Sequence, residues 1–199
     1  HTRILYVDFK AQVPSQSISY LKSGVAAMQS IEDYGQAVLL VFSTGGLVSP
    51  ALEGNTFIHN MGVATVAHNT GFVGSAANLL VSAADLTYAS PDSKFLLHPV
   101  VARVKSEDEK FFLPEAVDSI CQDATSRVIY ALADDTGMPR EFVATLMSEE
   151  VILMGAEALE IGLIDGIVDT PLPGVFDDVI GIRDTYSFAV KDGRVYYKC

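Results

Sequence analysis

The stretch "VATVAHNTGFVGSAANLLVSAA" (63–84) decides how the chain folds. Its first six residues mix small and β-branched apolar side chains, the composition of a strand buried on both faces. The remainder, "GFVGSAANLLVSAA" (71–84), opens on a glycine entry from Gly71 to Gly74, carries a hydroxyl at Ser75, and then runs through residues that read as a buried helix. Strand, tight glycine turn and buried helix form the repeating unit of a parallel α/β sheet.

Working outward, the unit recurs. "RILYVDF" (3–9) and "AVLLVF" (37–42) are apolar, β-branched and aromatic runs suited to buried strands. Between them Ile18, Leu21, Val25, Met28 and Ile31 recur at helical spacing, with Gly35 as a stop. After "STGG" (43–46) a helix is expected from Ser49 to about Asn60. "LTYAS" and "KFLLH" read as strands around the "SPDS" turn at 90–93. From Pro114 to Asp135 the stripe Ala116, Ile120, Ala124, Val128 and Leu132 predicts a helix. "TGMPREFVATL" marks a helix-to-helix junction, and "GAEALEIGLIDGIVD" a helix followed by a short strand. Beyond Asp169, Pro171, Pro173 and Gly174 loosen the chain before "YSFAVKDGRVYY", two alternating runs around Asp192 and Gly193 that predict a β-hairpin.

Composition narrows the function. The 199 residues carry a net charge of -12, with no basic cluster, so phosphate backbones and anionic membrane surfaces are repelled. The apolar run stops short of the roughly 20 residues that span a bilayer. Nothing at the N-terminus has the basic, apolar and small-residue order of a secretory signal. Cys121 and Cys199 are too few and too far apart for a disulfide framework or a zinc site, which favours a reducing, cytoplasmic setting. Hydrophobic residues make up 49% of the chain and charged ones 19%, a balance that implies surfaces buried by assembly.

The chemistry turns on Ser75. A serine at a helix start serves most simply as an N-cap. As a nucleophile it needs a base, a group to orient that base, and donors for an oxyanion. Two glycine turns follow buried strands, Gly45-Gly46 and Gly71 to Ser75, where α/β active sites form. The G-x-S-x-G elbow is excluded, because Val73 and Ala77 stand at its glycine positions.

Five segments in order, "FSTGG", "GFVGSAANLL", "SPDSKFLLHP", "LADDTGM" and "AEALEIGLIDGIVD", resemble ClpP, the proteolytic subunit of the caseinolytic protease, and more broadly the ClpP/crotonase superfamily. The resemblance implies an α/β spiral of repeated β-β-α and βαβ units with a mostly parallel sheet over residues 1–169, to which residues 170–199 add a C-terminal hairpin extension. It implies Ser75 as nucleophile and His98 as general base, with the backbone N–H groups of Gly46 and Ala76 as oxyanion hole. At the family's third triad position, usually aspartate, stands Glu150; Glu149, Asp134 and Asp135 are more distant candidates. No cofactor or metal is implied.

The substrate expected is a peptide or unfolded protein, cut in a homo-oligomeric ring. The chain begins almost at its first strand, so the family's N-terminal axial loops are expected to be missing and an ATPase unfoldase partner is left open. The charged segment "VVARVKSEDEKFFLPEAV" stands where the family has its handle between rings. His68 competes as base but reads better as a buried, satisfied histidine. Lys94, on the same strand face as His98, would suit a Ser/Lys peptidase like signal peptide peptidase A. A catalytically silent ring subunit and an acyl-CoA enzyme of the crotonase branch complete the alternatives.

Overall fold

A computed structural model describes residues 3–102 and 114–198. The handle-like segment 100–117 falls largely outside the described residues. Strand β1 (Arg3–Lys10) sends Leu5, Val7 and Phe9 into the main core and Tyr6 to the opposite face, where Val38 and Leu40 meet it. That second cluster is drawn from strands, with Ile4, Val66 and Val179 packed against it. The chain continues through α1 (Ser15–Gln29), β2 (Tyr34–Ser43), α2 (Val48–His59) and β3 (Ala64–Gly74). A 3₁₀ turn at Ser75–Ala77 leads into α3 (Asn78–Ser82), followed by β4 (Leu86–Ala89) and β5 (Lys94–Leu96). Then come α4 (Pro114–Thr136), α5 (Arg140–Ser148), β6 (Ile152–Met154), α6 (Gly155–Glu160) and β7 (Gly166–Ile167). The chain closes with β8 (Asp178–Ile182), β9 (Ser187–Lys191) and β10 (Arg194–Lys198).

The sheet runs β10-β9-β8-β1-β2-β3-β4-β7, with β5 branching from the far end of β3 and pairing with β6. The pairs from β8 through β1, β2, β3 and β4 to β7 are parallel, whereas β8-β9, β9-β10 and β5-β6 are antiparallel. This is the mostly parallel α/β architecture expected, including the hairpin, which turns through Asp192 and Gly193 at φ +48° and +72°. Those angles are those of a tight I′-type turn.

The core lies between sheet and helices. Ile18 and Leu21 of α1, Ile58 of α2 and Leu79 and Leu80 of α3 are almost fully buried against the strands. Truncating one such leucine to alanine costs about 2–5 kcal/mol. Gly54 sets the closeness of α1, α2 and α3: a Cβ there would lie 2.5 Å from Leu80 and 2.9 Å from Ile18.

Four expectations change. The strand beginning at 63–68 continues to Gly74, so 71–74 is strand and only Ser75 starts the helix. The reason is a change of partner: β3 pairs with β4 up to Asn69 and with β5 from Phe72 to Gly74. A two-residue bulge opposite β2 separates the two halves, and buried Asn69 bridges the junction to Lys94 O and the Gly71 N–H. Ile31 lies past the end of α1 and is exposed, while Gly35 sits inside β2. The α4 stripe buries Val128 and Leu132 but leaves Ile120 exposed. Finally β8, "DVIGI", is a strand that the sequence reading passed over.

Among the described residues no helix is long and apolar enough to cross a membrane.

Candidate active site

The carboxyl ends of β1, β2 and β3 open into a cleft of about 470 Å³ lined by Gln12, Thr44, Gly45, Gly46, Ser75, His98 and their neighbours. Parallel sheets place ligand sites at this edge because strand ends and helix starts bring free backbone N–H groups together.

Ser75 takes φ +55°, a left-handed conformation that costs a non-glycine residue about 1–3 kcal/mol. Two features hold it there. Gly45, at φ +98°, packs so closely that a Cβ on it would stand 2.6 Å from Gly74 O, 2.7 Å from Ser75 Cβ and 3.2 Å from Ala76 N. On the other side buried Asn78 donates through Nδ2 to Ser75 O and to Leu96 O, both at 2.9 Å. The helix start is thus tied to the strand that leads to His98. Asn78 escaped the sequence reading, although it is the one amide in the apolar run.

Gly46 is fixed by an isolated bridge to Val13. The Val13 N–H donates to Gly45 O and the Leu47 N–H donates to Val13 O, each at 2.9 Å. Gly46 itself makes neither of these bonds and lines the cleft. Ala76 lies in the first turn after Ser75, where N–H groups have no intrahelical acceptor. It borders a smaller recess shared with Ser75, His98 and Met147.

His98 shares both spaces with Ser75. Its Nδ1 lies 2.6 Å from Pro99 O. A carbonyl oxygen only accepts, so Nδ1 carries a proton, and Nε2 is the ring nitrogen left to face a substrate or a hydroxyl. No hydrogen bond joins His98 to Ser75 Oγ in this arrangement. Glu150 sits at φ +53° just before β6. The β5-β6 register pairs Leu96 with Ile152, and the Leu97 N–H donates to Val151 O, which leaves Glu150 opposite His98. Its side chain is exposed and outside the cleft lining, so the third position is aligned in backbone but not closed in side chain.

The competitors stand elsewhere. His68 is buried in β3 with Nε2 2.9 Å from Ser90 Oγ, and burial lowers its pKa from the usual histidine range. Asp135 accepts from Asn55, Ser82 and His59 at the junction of α2, α3 and α4. Asp134 pairs with Arg140, Glu149 is exposed, and Lys94 is exposed and absent from the cleft lining. Asp165 accepts from the Thr87 N–H at 2.7 Å, a structural role.

A model of the Clp protease family matches residues 5–171. The chain belongs to the Clp protease family. Among solved structures it is similar to a mutant ClpP1 from Listeria monocytogenes, with a TM-score of 0.71 and 16% identity over 83% of this chain and 91% of that one. At that identity the likeness is one of fold. No curated protein matches the chain in sequence. This Clp protease family chain carries its matched region from β1 to just past β7, and β8, β9 and β10 lie beyond it.

Proposed function

We propose that this chain is a ClpP-type serine endopeptidase that hydrolyses peptides or unfolded protein within a homo-oligomeric ring. The observation that carries the reading is Ser75 at φ +55° in one cleft with His98, whose Nδ1 is engaged by Pro99 O. A strained, half-buried serine that shares a cleft with an imidazole whose Nε2 is free suits acyl transfer.

In this mechanism Ser75 Oγ attacks the scissile carbonyl while His98 Nε2 takes its proton. The N–H groups of Gly46 and Ala76 receive the developing oxyanion. His98 then returns the proton to the leaving amine, and water, activated by the same ring, releases the acyl group. In the free site Pro99 O selects the tautomer; on turning toward Ser75 the ring gives up that bond, and Glu150 is our candidate to receive Nδ1–H once its own side chain turns inward. A turn of His98 about its side chain closes the gap to Ser75 as substrate fills the cleft; such bonds often tighten only in the substrate complex.

The test is digestion of an unfolded protein by wild type and Ser75→Ala, with assembly size measured on the same samples. Peptide products from wild-type assemblies and none from Ser75→Ala are expected; intact substrate with folded, assembled wild type would reject the reading. The open Ser75–His98 geometry favours the second reading, a silent ring subunit, and that same negative result would support it.

A further inference from the structure

The extension beyond residue 171 contacts Gln12, which lines the cleft. β8 pairs in parallel with β1 from Leu5–Asp178 to Phe9–Ile182, so it leaves the sheet at the cleft end. There the turn to β9 grips the start of the next loop. Arg183 donates through Nη2 to Asp8 Oδ2 at 2.7 Å and through Nη1 to Asp8 O and Ile182 O, each at 2.9 Å. Its guanidinium lies over the Phe188 ring, 5.4 Å from the centroid. Asp184 Oδ1 accepts from the Gln12 N–H at 2.6 Å. One residue on, buried Val13 holds Gly45 and Leu47 on either side of Gly46. A Cβ on Gly46 would lie 2.7–2.9 Å from Val13 backbone atoms, so this contact admits little movement.

We infer that the β8-β9 turn is a strut for the glycine loop: Arg183 and Asp184 are positioning residues that fix residues 11–13 and, through Val13, the Gly46 N–H. The inference rests on the reading of Gly46 as an oxyanion donor. Such a donor works only when its direction is fixed before the charge develops, and small displacements are costly. Capping the edge of β1 is a separate task at the other end of β8. There buried Asp178 accepts from Tyr34, Arg3 and Lys191. The polar contacts of Arg183 and Asp184 with Asp8 and Gln12 serve the cleft end.

The test compares wild type with Asp184→Ala, Asp184→Asn, Arg183→Lys and, as a control at the far end, Tyr34→Phe. Amide hydrogen exchange is measured over 11–14 and 43–47, and the rate of acylation by a fluorophosphonate on the same samples. Asp184 is exposed, so its alanine variant folds. For Asp184→Ala exchange is expected to rise about tenfold in both loops, the scale of one lost charge-assisted hydrogen bond. Exchange in β2 should stay unchanged. Acylation is expected to fall about tenfold in its limiting rate, with half-saturation within about twofold, as for an interaction felt mainly in the transition state. Asp184→Asn, which keeps an acceptor oxygen, restores both. Arg183→Lys, which lacks the fork, lies between. Tyr34→Phe lowers stability and moves neither loop. Unchanged exchange in Asp184→Ala overturns the strut, whatever the acylation rate. Looser loops with undiminished acylation overturn it as well. An unreactive wild type whose loops still loosen in Asp184→Ala upholds the strut and rejects the peptidase reading instead.

Discussion

The two sides of the cleft are built differently. On the side of the proposed nucleophile, Ser75 stands between Gly45 and Asn78 at the head of α3, whose leucines are almost fully buried. On the side of the proposed base, His98 follows a three-residue strand, its ring held by the carbonyl of the next residue, with Val101 already exposed. The backbone parts of the proposed acyl-transfer site are thus fixed by the fold, and its side-chain parts rest on fewer contacts.

Variants break this contrast in graded steps. Ser75→Ala removes the nucleophile and is expected to abolish covalent labelling by a fluorophosphonate. His98→Ala is expected to slow labelling about 10²- to 10⁴-fold, the usual worth of a positioned base, while thermal unfolding moves little. A His98→Ala rate near wild type would mean that another group takes the proton. Gly45→Ala should fail in both respects, because the new Cβ meets Gly74 O at 2.6 Å in a conformation that alanine disfavours. A stability loss of about 2–4 kcal/mol, seen as a lower urea midpoint, and loss of labelling are expected together.

Asn78→Ala sharpens the comparison, since it cuts the tie between the two sides. Two hydrogen bonds at 2.9 Å disappear from a buried site, and unfolding in urea should report about 2–3 kcal/mol. Labelling should slow even where the variant is fully folded. Unaltered labelling would make Asn78 a structural residue only.

How far the sequence spoke follows from the same contrast. Ser75, Gly45-Gly46 and the histidine strand were legible because each is a local motif at a strand end. The strand through 69–74 was not, because paired glycines read as a turn until β5 supplies a partner. β8 was hidden for another reason: "DVIGI" is five residues in a Pro- and Gly-rich setting, and it is a strand only because β1 lies beside it. Arg183 reaches back to Asp8 and Asp184 to Gln12 across almost the whole chain, pairings that no local pattern encodes. Glu150 shows the limit from the other direction: the resemblance singled it out by its distance from the closing helix, whereas its register opposite His98 and its exposed side chain emerge only in three dimensions.

The smallest effect concerns His68, outside the cleft. Its pKa is lowered in the folded protein by burial, so below its unfolded value of 6.5 the unfolded chain binds a proton that the folded chain refuses. Stability therefore falls as pH drops below that value, by at most about 1.4 kcal/mol per pH unit from this group, until the folded pKa is reached. His68→Asn should flatten that part of the profile in urea titrations, and an unchanged slope would locate the acid sensitivity elsewhere.

In the proposed mechanism Ser75 is preformed as nucleophile and His98 activates it with Glu150 in support. The most direct measurement is the rate of single-adduct formation with a fluorophosphonate, followed by intact mass, on assembled wild type, Ser75→Ala, His98→Ala and Glu150→Ala. One adduct is expected on wild type, none on Ser75→Ala, and labelling slowed about 10²- to 10⁴-fold in His98→Ala. Glu150→Ala should slow labelling by no more than about fivefold, the scale of an exposed ion pair. A folded, assembled wild type that takes no adduct, or an adduct that persists in Ser75→Ala, would contradict that mechanism.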